Sequence, residues 1–232
     1  QTTGPEIDPA GYTSKTLLSE LKTRGRLPFE SCVQLGISLT QALGYMHARG
    51  LIHRDIKPSN IIFVNGIPKL ADLGLVAEQG EARSFVGTEG FIPPEGPGTP
   101  QADLYSLGKV LYEMATGKDR HEFPELPMPV CEAESETGLL ELNSVFLKAC
   151  QSEAKLRYQT AEQMRDDLLL LQGGKSVQRA QAVERRFEFL KRLSVVGAAV
   201  TALLVAAFAY ARHQAMRAQR QLYVSDMIHA EQ

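Results

Sequence analysis

His53-Arg54-Asp55-Ile56-Lys57-Pro58-Ser59-Asn60 is the stretch on which the reading of this 232-residue chain turns. Within eight residues it sets a carboxylate, two cations and an amide. A carboxylate held in a tight polar loop can orient a hydroxyl and accept its proton. An amide carbonyl is a hard oxygen ligand suited to Mg²⁺. Immediately downstream, Ile61-Ile62-Phe63-Val64 and Ile67-Pro68-Lys69-Leu70 flank Asn65-Gly66. Two short apolar runs around Asn-Gly predict a hairpin. Asp72-Leu73-Gly74 follows its second strand, twelve residues after Asn60. Asn60 and Asp72 therefore flank one rigid element, which suits two ligands that must be positioned together. Farther on come Gly87-Thr88 and then Pro93-Pro94-Glu95.

Helical signals surround this hairpin. Ser14 is a candidate cap for a helix to about Arg24, with Leu17, Leu18 and Leu21 on one face. Pro28 suits a first helical turn, and Val33, Ile37, Leu43 and Met46 follow helical spacing until Gly50. Residues 102–116 read as a buried helix ended by Gly117, and residues 124–129, with three prolines, as loop. Two more helices are expected over 139–150 and 161–171, and Gly173-Gly174 breaks the pattern.

Composition narrows the class. The chain is 44% apolar and 22% charged, ordinary for a globular protein, and its net charge of −2 offers no electrostatic case for nucleic acid. Cys32, Cys131 and Cys150 are far apart and odd in number, so they suggest small buried hydrophobes in a reducing compartment, not a disulfide framework or a zinc site. His47, His121, His213 and His229 show no ligand spacing. From Leu193 to Ala211 no residue is charged, and Arg192 and Arg212 bound the run. As a helix at ~1.5 Å per residue it would be about as long as a bilayer core is thick, so a single transmembrane span is expected. Its many small residues suit close helix packing and dimerisation through it. A surplus of Lys and Arg on the side of residues 1–192 points those residues toward the cytoplasm.

The order His-Arg-Asp-x-Lys-Pro-x-Asn, Asp-x-Gly, Gly-Thr and Pro-Glu resembles the protein kinase family, over about Thr13 to Leu171. The resemblance implies a mainly α fold, the helical C-terminal lobe of the kinase fold with a small β-hairpin. It implies transfer of the γ-phosphate of ATP, with Mg²⁺, to Ser/Thr hydroxyls of protein substrates. Asp55 would be the catalytic carboxylate, and Lys57 would face the transferred phosphate. Asn60 and Asp72 would bind the metal, and Ile62 would floor the adenine. The stretch from Asp72 to Glu95 would be an activation loop, with Ser84 a phosphate acceptor that could pair with Arg54, and Thr88 touching Asp55 and Lys57. His53, Arg54, Glu95, Asp103 and Arg157 would be structural: His53 packed, Glu95 paired with Arg157 in a buried salt bridge, Asp103 holding the catalytic loop from below. Leu73 stands where the family has Phe.

No glycine-rich phosphate loop, lysine strand or partner-glutamate helix occurs, and the chain begins with Gln1. The family's sheet lobe is expected to lie before Gln1, and little activity is expected from this chain alone. The expected plan is a kinase C-lobe over 1–172, a juxtamembrane linker over 173–192, a transmembrane helix over 193–211 and the start of an extracytoplasmic region over 212–232. The whole resembles bacterial membrane-anchored serine/threonine kinases, with the lobe cytoplasmic. The alternative is a pseudokinase-like membrane scaffold that binds protein partners and transfers nothing.

Overall fold

The computed structural model describes residues 15–72, 77–78, 87–127 and 133–183, and then scattered helical residues between 186 and 217. Contacts divide the chain into two compact units, Gln1–Gln178 and Arg179–Gln232.

In the first unit, helix α1 (Leu17–Arg24) opens with a capping box. The Thr16 hydroxyl accepts the Ser19 N–H, and the Ser19 hydroxyl accepts the Thr16 N–H, both at 3.1 Å. The cap is thus Thr16, while Ser14, the expected cap, lies outside the described residues. Helix α2 (Phe29–His47) starts one residue after Pro28, which is its N-cap and not part of its first turn. Helix α3 (Pro100–Thr116) begins two residues before the expected start. The Thr99 hydroxyl caps it by accepting the Ala102 N–H, and Pro100 sits in the first turn, where a missing N–H costs nothing. Gly117, at φ 71°, ends it. Helix α4 (Ala133–Ala149) begins six residues before the expected Leu139, and helix α5 (Ala161–Gln172) is capped by Thr160.

Helix α3 is the axis of the unit. Leu104, Leu107, Val110, Leu111 and Met114 are all fully buried, each stabilising the fold by roughly 1.5–3 kcal/mol. Helix α2 packs on α5 and α3, and α4 packs on α3. The α3–α4 crossing is close because Gly108 has no side chain: a Cβ there would lie 2.7 Å from the Ala149 Cβ and 2.8 Å from the Cys150 Sγ.

The predicted hairpin forms with the expected bounds, β2 (Ile61–Val64) antiparallel to β3 (Ile67–Leu70), Ile61 opposite Leu70 and Val64 opposite Ile67. It is tied to the chain before α1, where the Lys15 carbonyl accepts the Phe63 N–H at 2.9 Å. A second two-stranded sheet, β1 (Leu51–Ile52) with β4 (Ala77–Glu78), was not anticipated, since two-residue strands carry no periodicity.

The first unit also runs past Gly173-Gly174. Val177 is fully buried, and the Glu141 carboxylate accepts the Ser176 hydroxyl at 2.7 Å and the Gln178 N–H at 3.1 Å.

The second unit requires a correction. Among the described residues, no helix is long and apolar enough to cross a membrane. A span needs about 20 continuous apolar helical residues. Within 193–211 the longest described helical run is 201–205, and residues 195–196, 199–200, 206–209 and 211 lie outside the described residues. The uncharged run met the length condition in the sequence, but among the described residues no helix meets the rest. The expected transmembrane helix is therefore withdrawn, with the membrane anchoring and helix dimerisation built on it. Most of 212–232 also lies outside the described residues.

Candidate active site

The site grows from the segment between β1 and β2. A short 3-10 turn, Pro58–Asn60, places Asn60 directly before β2. The Asn60 amide then turns back and donates to the Asp55 carbonyl and to Asp55 Oδ2, both at 2.9 Å. Lys57 Nζ lies 2.7 Å from the same Oδ2. Thr88 closes the group: its hydroxyl donates to Asp55 Oδ1 at 3.0 Å and accepts from Lys57 Nζ at 2.9 Å. Three side chains, those of Lys57, Asn60 and Thr88, thus meet on the one carboxylate of Asp55.

Burial by itself would raise the Asp55 pKa. The hydrogen bonds from Lys57 and Thr88, the Lys57 charge and the Asn60 amide outweigh it and hold the carboxyl below the ordinary carboxylate range. Asp55 is therefore an ionised acceptor at neutral pH. With its nitrogen committed to Asp55, the Asn60 side chain keeps its oxygen for other partners, and Ser59 Oγ donates to it at 3.2 Å.

Asp103, in α3, sets the shape of this loop from beneath. It is 1% exposed, and its two oxygens accept the backbone N–H groups of His53 and Arg54, each at 2.9 Å. Arg54 has φ 71°, a left-handed conformation that costs a non-glycine residue on the order of 1 kcal/mol or more. The Asp103 bond falls on that strained residue. His47 at the end of α2 adds a third contact, its Nε2 2.9 Å from Asp103 Oδ2. Sequence reading missed His47, because 56 residues separate the pair and no local pattern links them. The His53 side chain is fully buried, and neither ring nitrogen has a partner among the described residues.

Asp72 stands at the same end of the hairpin as Asn60. Leu70 pairs with Ile61, and the Ala71 N–H donates to the Asn60 carbonyl at 2.8 Å. The Asp72 side chain is exposed, on a backbone with φ 59°. An amide oxygen and a carboxylate are hard donors that fit Mg²⁺ and not a soft metal. Among the described residues no cluster of His, Cys, Asp and Glu forms a metal centre of another kind. Ile62 is half-buried on β2, bridged to Thr16.

Glu95 meets Arg157 in a bidentate pair, Nη2 to Oε2 being 2.9 Å. Arg157 also donates to the carbonyls of Gln151 and Ser152, at 2.6 and 3.0 Å. The pair, expected to be buried, is enclosed on one side only. The Arg157 side chain is fully buried, but that of Glu95 is 34% exposed, because Glu95 sits on a surface loop and only its head reaches inward. Burial raises the Glu95 pKa, and the Arg157 hydrogen bonds and charge overturn this and bring it below the usual value. Ser84 lies outside the described residues, and so does the segment that could present a phosphate to Arg54.

Comparison with known proteins gives the chain a family. The protein kinase domain family matches residues 11–166. A probable serine/threonine-protein kinase of Clostridium perfringens is 33% identical over 175 residues, 66% of this chain and 25% of that protein. The serine/threonine-protein kinase PknB of Mycobacterium leprae is 32% identical over 181 residues, 68% of this chain and 29% of that protein. PknB of Mycobacterium tuberculosis is 32% identical over 182 residues, again 68% and 29%. The chain thus spans between 25% and 29% of the length of these relatives. With a family match over most of its length and a carboxylate held as described, this chain belongs to the protein kinase domain family.

Proposed function

We propose that this chain is the catalytic lobe of a serine/threonine protein kinase, which transfers the γ-phosphate of ATP to Ser or Thr hydroxyls of protein substrates. One observation carries the reading: Asp55 is buried, ionised and held from three sides by Lys57, Thr88 and Asn60. Phosphoryl transfer is mostly positioning and charge neutralisation. Asp55 orients the incoming hydroxyl and takes its proton as that oxygen bonds to the γ-phosphorus and the bond from the γ-phosphorus to the bridging oxygen breaks, ADP leaving with that oxygen. Lys57, 2.7 Å away, meets charge that builds on the transferred group. Thr88 holds both side chains in register, and Ile62 lies on the hairpin face that would support the adenine. Asn60 and Asp72 are the residues that would hold Mg²⁺, which when bound offsets negative charge on the phosphates. Residues 1–172 would make up this lobe. A need for ATP would put its work on the cytoplasmic side. The scaffold alternative gains no support from a site in which all four polar residues are bonded together.

The test is Asp55→Asn in the complete protein, read as radiolabelled phosphate transfer from ATP to a Ser/Thr peptide. Turnover should fall by about a hundredfold or more, with the melting temperature little changed. Turnover equal to that of the unaltered protein would remove Asp55 from the reaction.

A further inference from the structure

We propose that Arg120 is the positioning residue for the turn that carries Thr88, and so for the path by which a protein substrate's hydroxyl reaches Asp55. The inference rests on the kinase reading above. Arg120 opens a 3-10 turn, Arg120–Glu122, just beyond α3. Its guanidinium has two sets of partners. One set anchors it to α3: Nη1 lies 3.2 Å from Glu113 Oε1, which also accepts the Arg120 backbone N–H at 3.0 Å. Nη1 is also 3.3 Å from Asp119 Oδ2. The other set holds the turn: Nε donates to the Glu89 carbonyl at 3.0 Å, and the guanidinium plane lies 4.7 Å from the centre of the Phe91 ring.

The turn itself is closed by the Phe91 N–H on the Thr88 carbonyl at 3.1 Å. Its far end is fixed to α3 by the Ser106 hydroxyl, which donates to the Phe91 carbonyl at 2.8 Å. Arg120 therefore grips residues 89 and 91, while the Thr88 hydroxyl between them and the catalytic loop bonds both Asp55 and Lys57. Gly90 fits this arrangement: it has φ 83°, and a Cβ there would lie 2.8 Å from Arg120 Nε and from His121 Cε1. The fork and flat face of a guanidinium serve this double grip, whereas an ammonium offers neither. A shift of about 1 Å in a positioning element costs up to about a hundredfold in rate.

The test uses Arg120→Gln and Arg120→Lys in the complete protein, with two readouts. Hydrogen exchange at the amides of Gly90 and Phe91 should quicken about tenfold in both variants. The kcat/KM for a Ser/Thr peptide should fall on the order of tenfold or more, while the KM for ATP stays unchanged. If Arg120→Gln does not fold, Glu113→Gln loosens the anchor without removing the guanidinium and should move both readouts the same way by less. Unchanged exchange at these amides overturns the proposal, as does an ATP KM that rises in step with the peptide effect. Rescue of both readouts by Arg120→Lys would show that charge alone suffices and would overturn the role given to the fork. If the unaltered protein transfers no phosphate, the kinase reading fails, while the exchange measurement still decides whether Arg120 holds the turn.

Discussion

Asp103 and Glu95 are both carboxylates that hold a loop of the site in place, and they do it by opposite means. Asp103 is almost wholly enclosed and is satisfied by backbone N–H groups and one imidazole. Glu95 is a third exposed and is satisfied by a guanidinium that is itself fully buried. In the first case hydrogen bonds from a backbone that cannot move away compensate a buried acid, so the acid dictates the dihedral angles of its donors. In the second, charge attraction ties a flexible head to a fixed partner, so the pair joins two segments without setting their local geometry. The difference teaches that burial, more than charge, decides which acid shapes the loop around Asp55.

The sharpest way to break this comparison is Asp103→Ala. It leaves two backbone donors and His47 without their acceptor in the interior, and each orphaned buried group costs about 1–3 kcal/mol. A loss of at least about 3 kcal/mol in urea denaturation is expected, together with loss of phosphate transfer as Arg54 relaxes from its left-handed conformation. A cost below that of the Glu95 variant would reverse the ranking.

Glu95→Gln comes next. The Arg157 head keeps the Gln151 and Ser152 carbonyls and Glu95 is partly screened by solvent, so about 1–2 kcal/mol is expected. Its pH dependence sharpens the point. The folded carboxyl titrates below its ordinary value of 4.5, so its contribution is fully present above pH 4.5 and is lost as acid titrates the folded group below that. The stability gap between wild type and Glu95→Gln should stay constant from neutral pH to about 5 and close in stronger acid. A gap that survives acid would mean that charge pairing with Arg157 contributes nothing.

The smallest effect concerns Cys150, whose Sγ donates to the Tyr105 carbonyl, on the residue whose ring the Arg157 guanidinium faces at 4.9 Å. Burial pushes the Cys150 thiol, and likewise that of Cys32, up to about 12. Neither should react with a disulfide reagent at pH 8 until the fold is opened by denaturant. In Glu95→Gln the rate at Cys150 should rise only slightly, because Arg157 stays anchored by carbonyls. Rapid labelling of the folded variant would show that the Glu95–Arg157 pair, and not the carbonyls, keeps this corner closed.

Much of the site was legible because its residues are grouped by local geometry. A hairpin with Asn-Gly at its tip puts Asn60 and Asp72 at one end wherever the rest of the chain goes. The turn from Lys57 to Asn60 likewise folds the amide back onto Asp55 within five residues. The Glu95–Arg157 pair was anticipated from family resemblance, but its exposure depended on where the surface loop lies. His47 and Arg120 were invisible for a different reason: packing of α2 on α3 brings His47 to Asp103, the turn docked on α3 brings Glu89 to Arg120, and neither residue type nor spacing records those contacts. The uncharged run over 193–211 suggested a span because of its composition, but among the described residues no helix is long and apolar enough to cross a membrane.

By itself the sequence determined which chemical groups were available and which of them neighbour one another: a carboxylate, an ammonium and an amide in one turn, two candidate metal ligands on one hairpin, and enough apolar helix to bury them. Those follow from backbone rules acting over a few residues. The closing of Thr88 on Asp55 and the place of Asp103 beneath the loop were anticipated from family resemblance, not from local rules; only the tertiary structure decided that His47 joins Asp103 there and that Arg120 grips the next turn. Such contacts depend on what packs against α3, helix α2 on one side and the turn after Thr88 on another, and that fit is a sum over the whole core that no short stretch of chain contains.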